Sequence, residues 1–265
     1  MLIATIHNRM EGHPMNKLLL GTIGILAAGL AAPASAADLP ARTYTKSPTV
    51  APYPMVDWSG FYIGAEGGGG FGSDSLFFPA AFSTTGRFDT SGGVAGGVIG
   101  YNWQAPGTSW VFGLEGNFDW ADISGTAICP NVAFDCSTNL NKIFTGTGRI
   151  GYAWNSVLLY AKGGYAWTSA RADVVDPVTG AIGDSTGRVG RDGYTLGAGL
   201  EYMFAPGWSA KVEYDYYNFG ATTASGNTPA GAFVESITMA NYSVNSIKAG
   251  INYHFNWGGP VVARY

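Results

Sequence analysis

The chain has 265 residues, of which 12% are charged, 14% are aromatic and 40 are glycine, and its formal net charge is −4. Charged residues stand at about half the ~25% usual for soluble domains, and the slight acidity excludes a basic nucleic-acid footprint. Glycine shows no triplet period, which excludes a collagen-like rod. The balance suits a β-barrel in a membrane or a secreted β-rich protein.

In chain order, the first element is an export signal. From Met15 the chain reads MNKLLLGTIGILAAGLAAPASAADLP: Lys17 is a short positive region, an apolar stretch runs from Leu18 to about Leu30, and Ala34-Ser35-Ala36 forms a small-residue cleavage site. Cleavage after Ala36 is expected, with Ala37 as the mature N-terminus. Met15 is the expected start, and residues 1–14 an upstream extension. The apolar run is too short for a transmembrane anchor and stops at Pro33. The expected order is signal peptide 1–36, proline-rich periplasmic linker 37–57, barrel 58–257 and tail 258–265. No later stretch reaches the ~18 consecutive apolar residues of a membrane helix. If the mature chain crosses a bilayer, it must do so as a closed barrel, because hydrocarbon leaves backbone groups no other way to pair.

Eight segments then alternate apolar and polar with a period of two: 59–70, 92–103, 109–122, 141–154, 156–168, 192–204, 208–219 and 243–255. In the third, Trp110, Phe112, Leu114, Phe118 and Trp120 share one face while Glu115, Asn117 and Asp119 share the other. Gly64, Gly96, Gly113, Gly151, Gly164, Gly197 and Gly199 fill polar-face positions, as in a narrow, crowded interior. Short connections near 104–108, Asn155 and 205–207 alternate with long ones at 71–91, 123–140, 169–191 and 220–242. An all-β, eight-stranded antiparallel up-and-down transmembrane barrel produces that pattern, with both chain ends on the short-turn side. Trp58, Trp103, Trp110, Trp154, Trp208 and Trp257 fall beside short turns or termini, and Trp120 and Trp167 beside long loops. Together they predict two aromatic girdles.

The polar faces then put Glu66, Glu115, Asp119, Arg149, Lys162, Glu201, Lys211, Glu213, Asp215 and Lys248 inside. Eight strands leave room only for side chains, so these mixed charges are expected to form an ion-pair network rather than line a channel. No catalytic, cofactor or metal site is expected. After the cleavage site the one histidine is His254, which lacks a serine at the nearby positions, although Ser209 is a spatial candidate. Gly146 to Gly151 matches GxGxxG, but within a strand and without a following helix, so it is no nucleotide site. Cys129 and Cys136 are the two cysteines. Export places them in an oxidising compartment, and a disulfide pinning the second long loop is expected.

Several pieces resemble one family. They are Ala37-Asp38-Leu39-Pro40, the proline-rich lead, Asp57-Trp58-Ser59-Gly60-Phe61-Tyr62-Ile63-Gly64, and the closing Gly250-Ile251-Asn252-Tyr253-His254-Phe255-Asn256-Trp257-Gly258-Gly259. With these the chain resembles the small outer-membrane β-barrel surface proteins of alphaproteobacteria, related to opacity-type porins and the OmpA transmembrane barrel. The resemblance implies location in the cell outer membrane and roles in envelope integrity and surface exposure. Some members are described as porin-like, and others as binding haem or host molecules. Lys248, Gly250, Tyr253 and Phe255 also resemble the segment read by the barrel-assembly machinery. Expected partners are outer-membrane lipid and lipopolysaccharide, export chaperones and assembly machinery during biogenesis, and an unidentified surface ligand, with no nucleic acid. A structural surface barrel leads. A small porin-like channel is the alternative; a lipid-modifying enzyme and a soluble periplasmic ligand-binding barrel stand behind it.

Overall fold

A computed structural model describes residues 56–255. The strands are β1 (Gly60–Asp74), β2 (Leu76–Phe78), β3 (Ser83–Thr84), β4 (Phe88–Gln104), β5 (Trp110–Ile128), β6 (Asp135–Trp154) and β7 (Val157–Val175). They continue as β8 (Ile182–Ser185), β9 (Val189–Ala205), β10 (Trp208–Phe219), β11 (Thr222–Asn227), β12 (Phe233–Met239) and β13 (Tyr242–Phe255). Eight of them close into an antiparallel barrel in the order β1-β4-β5-β6-β7-β9-β10-β13. Closure is made where Phe61 meets Phe255 and where Val157 meets Tyr202. Among the described residues no helix is long and apolar enough to cross a membrane.

The three short turns are built by residues that tolerate left-handed backbone. Gly107 and Gly207 have φ of +72° and +77°, and Asn155 reaches +54° in a two-residue link between β6 and β7. Both ends of the described chain lie at this end of the barrel, since Gly60 pairs with Asn102 and Phe61 with Phe255.

At the opposite end the strands run further than the alternation predicts. The segments read as long loops, 71–91, 123–140, 169–191 and 220–242, are in large part strand. The β5–β6 hairpin keeps pairing up to Ile128 and Asp135, and β8, β11, β12, β2 and β3 add in that order to the edge of β7. Glycine, serine, threonine and aspartate blur the two-residue period there. Backbone pairing does not need it. Register shifts at Trp120–Ile123 and Leu140–Lys142 mark where the regular barrel gives way to this cap.

Candidate functional site: a charged interior under a structured cap

Alternation turns every second side chain inward, and the interior is filled in layers. At the short-turn end Trp58 is fully buried, packs with Val111, Ala153, Leu158 and Tyr160, and donates its indole N–H to the Asn155 carbonyl at 3.0 Å. It is a plug in the mouth, not the girdle residue that its sequence position suggested. Trp257 lies outside the described residues.

Above the plug lie the charges. All ten predicted interior residues are buried. Glu201 Oε1 accepts from Ser209 Oγ (2.5 Å), Asn252 Nδ2 (2.7 Å) and His254 Nε2 (3.0 Å), while its other oxygen meets Arg149 Nη2 at 3.0 Å. Arg149 Nη1 reaches Glu115 Oε2 at 3.1 Å, and its guanidinium lies 3.9 Å from the centre of the Tyr160 ring. Lys162 Nζ sits between Glu115 (3.0 Å), Glu213 (2.7 Å) and Asp215 (3.3 Å). Lys211 contacts Glu66 at 2.6 Å. Lys248 gathers Glu66 (2.6 Å), Asp119 (3.1 Å) and Asp215 (3.2 Å). The carboxylates outnumber these cations, and neutral donors take up the surplus. Tyr62 and Tyr160 hydroxyls donate to Glu115 and Glu213 at 2.6 and 2.7 Å, and the Asn117 amide to Glu66 at 3.0 Å.

Both tyrosines owe their aim to a glycine directly across the sheet. Tyr62 pairs with Gly100 and Tyr160 with Gly199. A Cβ on either glycine would fall 2.4–2.5 Å from the phenol ring. The ring lies over the bare backbone and carries its hydroxyl into the network.

Ser209, His254 and Glu201 converge, but not as a nucleophilic relay. Such a relay sets the serine on one imidazole nitrogen and the acid on the other. Here Ser209 Oγ and Glu201 Oε1 both face Nε2, at 2.9 and 3.0 Å, and all three residues are buried.

Above the charges comes an apolar layer absent from the sequence reading: Ile123, Leu140, Ile143, Tyr217, Phe219 and Val244 all point inward. Over it, Arg191 donates to the Gly220 carbonyl from Nε and Nη2 (3.2 and 3.1 Å) and to the Ala240 carbonyl, with Asp74 3.9 Å away. A second apolar cluster (Leu76, Phe78, Phe88, Ile237 and Met239, with both cysteines) forms the core of the cap.

A family model described as outer membrane protein beta-barrel domain matches residues 23–255. The chain belongs to the outer-membrane β-barrel family. It is 29% identical to the 31 kDa outer-membrane immunogenic protein of Brucella melitensis biotype 1, over 91% of this chain and 100% of that one. It is 28% identical to the 22 kDa outer membrane protein of Rhizobium leguminosarum bv. viciae, over 76% and 80% of the two chains. Among solved structures, OprG from Pseudomonas aeruginosa matches with a TM-score of 0.45 and 16% identity, over 74% of this chain and 97% of that one.

This outer-membrane barrel therefore has its short turns and chain ends toward the periplasm and its cap toward the outside. Its outward face is apolar through the middle: Ile99, Leu114, Leu196 and Val212 are 56–71% exposed, untenable in water but suited to hydrocarbon. Trp103, Trp110, Trp154 and Trp208 stand outward at the periplasmic edge and Trp120 at the outer edge. From Trp110 to Trp120 is ten residues of β5, ~34 Å along the strand and ~26 Å after a tilt of ~40°, close to the ~25 Å apolar band of such barrels.

Cys129 and Cys136 form a disulfide within the cap, at the tip of the β5–β6 hairpin. In the closing strand, Lys248 and Gly250 face the interior and Tyr253 faces outward against Trp208. Phe255 is half-buried beside Tyr253, at the edge of β13. Gly146 and Gly148 open onto the outer surface of β6, where an added Cβ would meet nothing within 4 Å. Ala36 and Ala37 lie outside the described residues.

Parity along the strands would have revealed what sequence reasoning missed. Trp58 shares the even positions of inward Tyr62 and Glu66, as does Asp74, and Arg191 shares the odd positions of inward Thr195 and Glu201.

Proposed function

We propose that this barrel is a structural surface protein of the outer membrane. In this reading it contributes to envelope integrity and meets the outside through its cap. The observation that carries the reading is the filled interior: the Trp58 plug, the ion-pair network and the apolar layer are stacked along the described length. Each layer would obstruct a solute path, which weighs against the porin-like alternative. The loops support the surface role. Phe82, Val132, Val178 and Phe233, one from each long connection, are 64–92% exposed, so every loop offers a partner an apolar side chain. Lys142 pairs in register with Trp120 on the outward face, where a cation at the outer interface suits the phosphates of lipopolysaccharide. Lys248, Gly250, Tyr253 and Phe255 are proposed as the segment that recruits the assembly machinery.

Deleting the gene and measuring entry of a bulky antibiotic tests this role. The expected result is a leakier envelope, restored by the whole protein and equally by a barrel whose loop tips are shortened. An envelope unchanged by deletion would refute the structural reading.

A further inference from the structure

The cap holds a half-open cleft of about 290 Å³, near the small end of ligand pockets. Its wall is mostly apolar: Phe78, Phe134, Val174 and Val234, from four different chain segments, with the disulfide at Cys129. Two acids break this wall, Asp184 of β8 and Glu235 of β12.

Asp184 is the anomaly. It is 4% exposed, and no side chain donates to either carboxylate oxygen. Its space is made by Gly226, in β11, since any side chain there would collide with both oxygens. Its neighbour Asp173 is neutralised by Arg171, whose Nε lies 2.7 Å away; Asp184 has no such partner. Burial pushes the Asp184 carboxyl up, against a backbone N–H bond from Ser185 and with the charge of Asp173, and burial followed by the charge of Asp184 does the same to Glu235. A bare buried carboxylate is costly, and a cation beside it removes most of the cost.

The chemistry of the walls selects the cation. Calcium and magnesium want six or more oxygens, and among the described residues no three acidic, histidine or cysteine side chains are placed to hold a metal ion. Two carboxylates in apolar surroundings suit a compact organic cation instead. We propose that the cap cleft binds a small apolar molecule bearing a primary or secondary ammonium group. Its hydrocarbon body lies against Phe78, Phe134, Val174 and Val234, its N–H donors point to Asp184, and Glu235 closes the mouth. This goes beyond the structural role and depends on the cap alone, so failure of either leaves the other standing.

The test uses the whole chain refolded in lipid nanodiscs with ¹³C-methyl valine. The probe is 2-phenylethylamine, with 2-phenylethanol and 3-phenylpropanoate as neutral and anionic counterparts. Expected are saturable shifts at Val174 and Val234 with Val98, inside the barrel, unmoved. The alcohol should bind at least tenfold more weakly, and the carboxylate not at all. Asp184→Asn should weaken the amine tenfold or more, and Glu235→Gln several-fold. Should Asp184→Asn fail to fold, Glu235→Gln and the neutral probe on the native chain decide. The proposal falls if no saturable shift occurs, if amine and alcohol bind equally, if a folded Asp184→Asn binds unchanged, or if only lipid-facing Val212 responds.

Discussion

Replacing Lys162 by methionine removes one cation and leaves a similar volume. Its Nζ holds Glu115, Glu213 and Asp215 at 3.0, 2.7 and 3.3 Å, and the lysine and its partners are essentially fully buried. At an effective dielectric of ~20, each contact near 3 Å is worth roughly 5 kcal/mol gross. Desolvation of the ammonium offsets most of that. What remains after substitution is three buried carboxylates with only their contacts to Arg149, Lys211 and Lys248, and breaking a buried pair this way costs ~3–5 kcal/mol. Urea unfolding in lipid vesicles, followed by tryptophan fluorescence and by gel mobility before and after heating, measures it. Arg87→Met, at an exposed cap position, should change stability by no more than ~0.5 kcal/mol. A cycle with Glu213→Gln should show coupling above ~1 kcal/mol. If Lys162→Met stayed within ~1 kcal/mol of the parent, screening by interior water would be indicated, and the network would not be the structural element described.

Three other outcomes follow from the geometry. Gly199→Val places a side chain where the Tyr160 ring lies, so it should cost ~1–3 kcal/mol by overpacking, while Tyr160→Phe should lose ~1.5–3 kcal/mol from its bond to Glu213; the same unfolding assay compares them. The disulfide spans a sequence separation of 7, and closing so small a loop stabilises by about 2.5 kcal/mol. That gain is local to the hairpin tip, so Cys129→Ser with Cys136→Ser should speed proteolysis between 129 and 136 and leave the heating midpoint of the barrel unmoved. Phe255→Ala should slow membrane insertion in cells, whereas truncation after Phe255 should insert normally; fractionation after pulse labelling separates the two, and a truncated chain that stays in the periplasm would assign recruitment to the tail.

The barrel was legible because lipid imposes a rule on every strand: outward apolar, inward polar or glycine. Phe112 through Trp120 shows it, with Gly116 the one outward departure, and the inward charges follow by parity. The rule lapses wherever both faces meet protein. Ile123, Leu140 and Ile143 are apolar yet inward, because above the charges the interior packs against itself. The cap strands lie beyond the bilayer, where no outward apolar requirement writes a period into the sequence, so 169–191 and 220–242 looked like loops. Trp58 was misassigned for a related reason. A tryptophan beside a short turn serves a girdle or a plug equally well, and only its parity with Tyr62 separates them. Asp184 carries no sequence signal, because its isolation depends on which loops meet in space.

Single-channel recording of the refolded barrel in a planar bilayer tests the filled interior most directly. The layered plug, ion-pair network and apolar layer predict a flat current with no conductance steps in the native chain. Steps of uniform size that Trp58→Ala enlarges would contradict a filled interior, because they would place a continuous water path through all three layers.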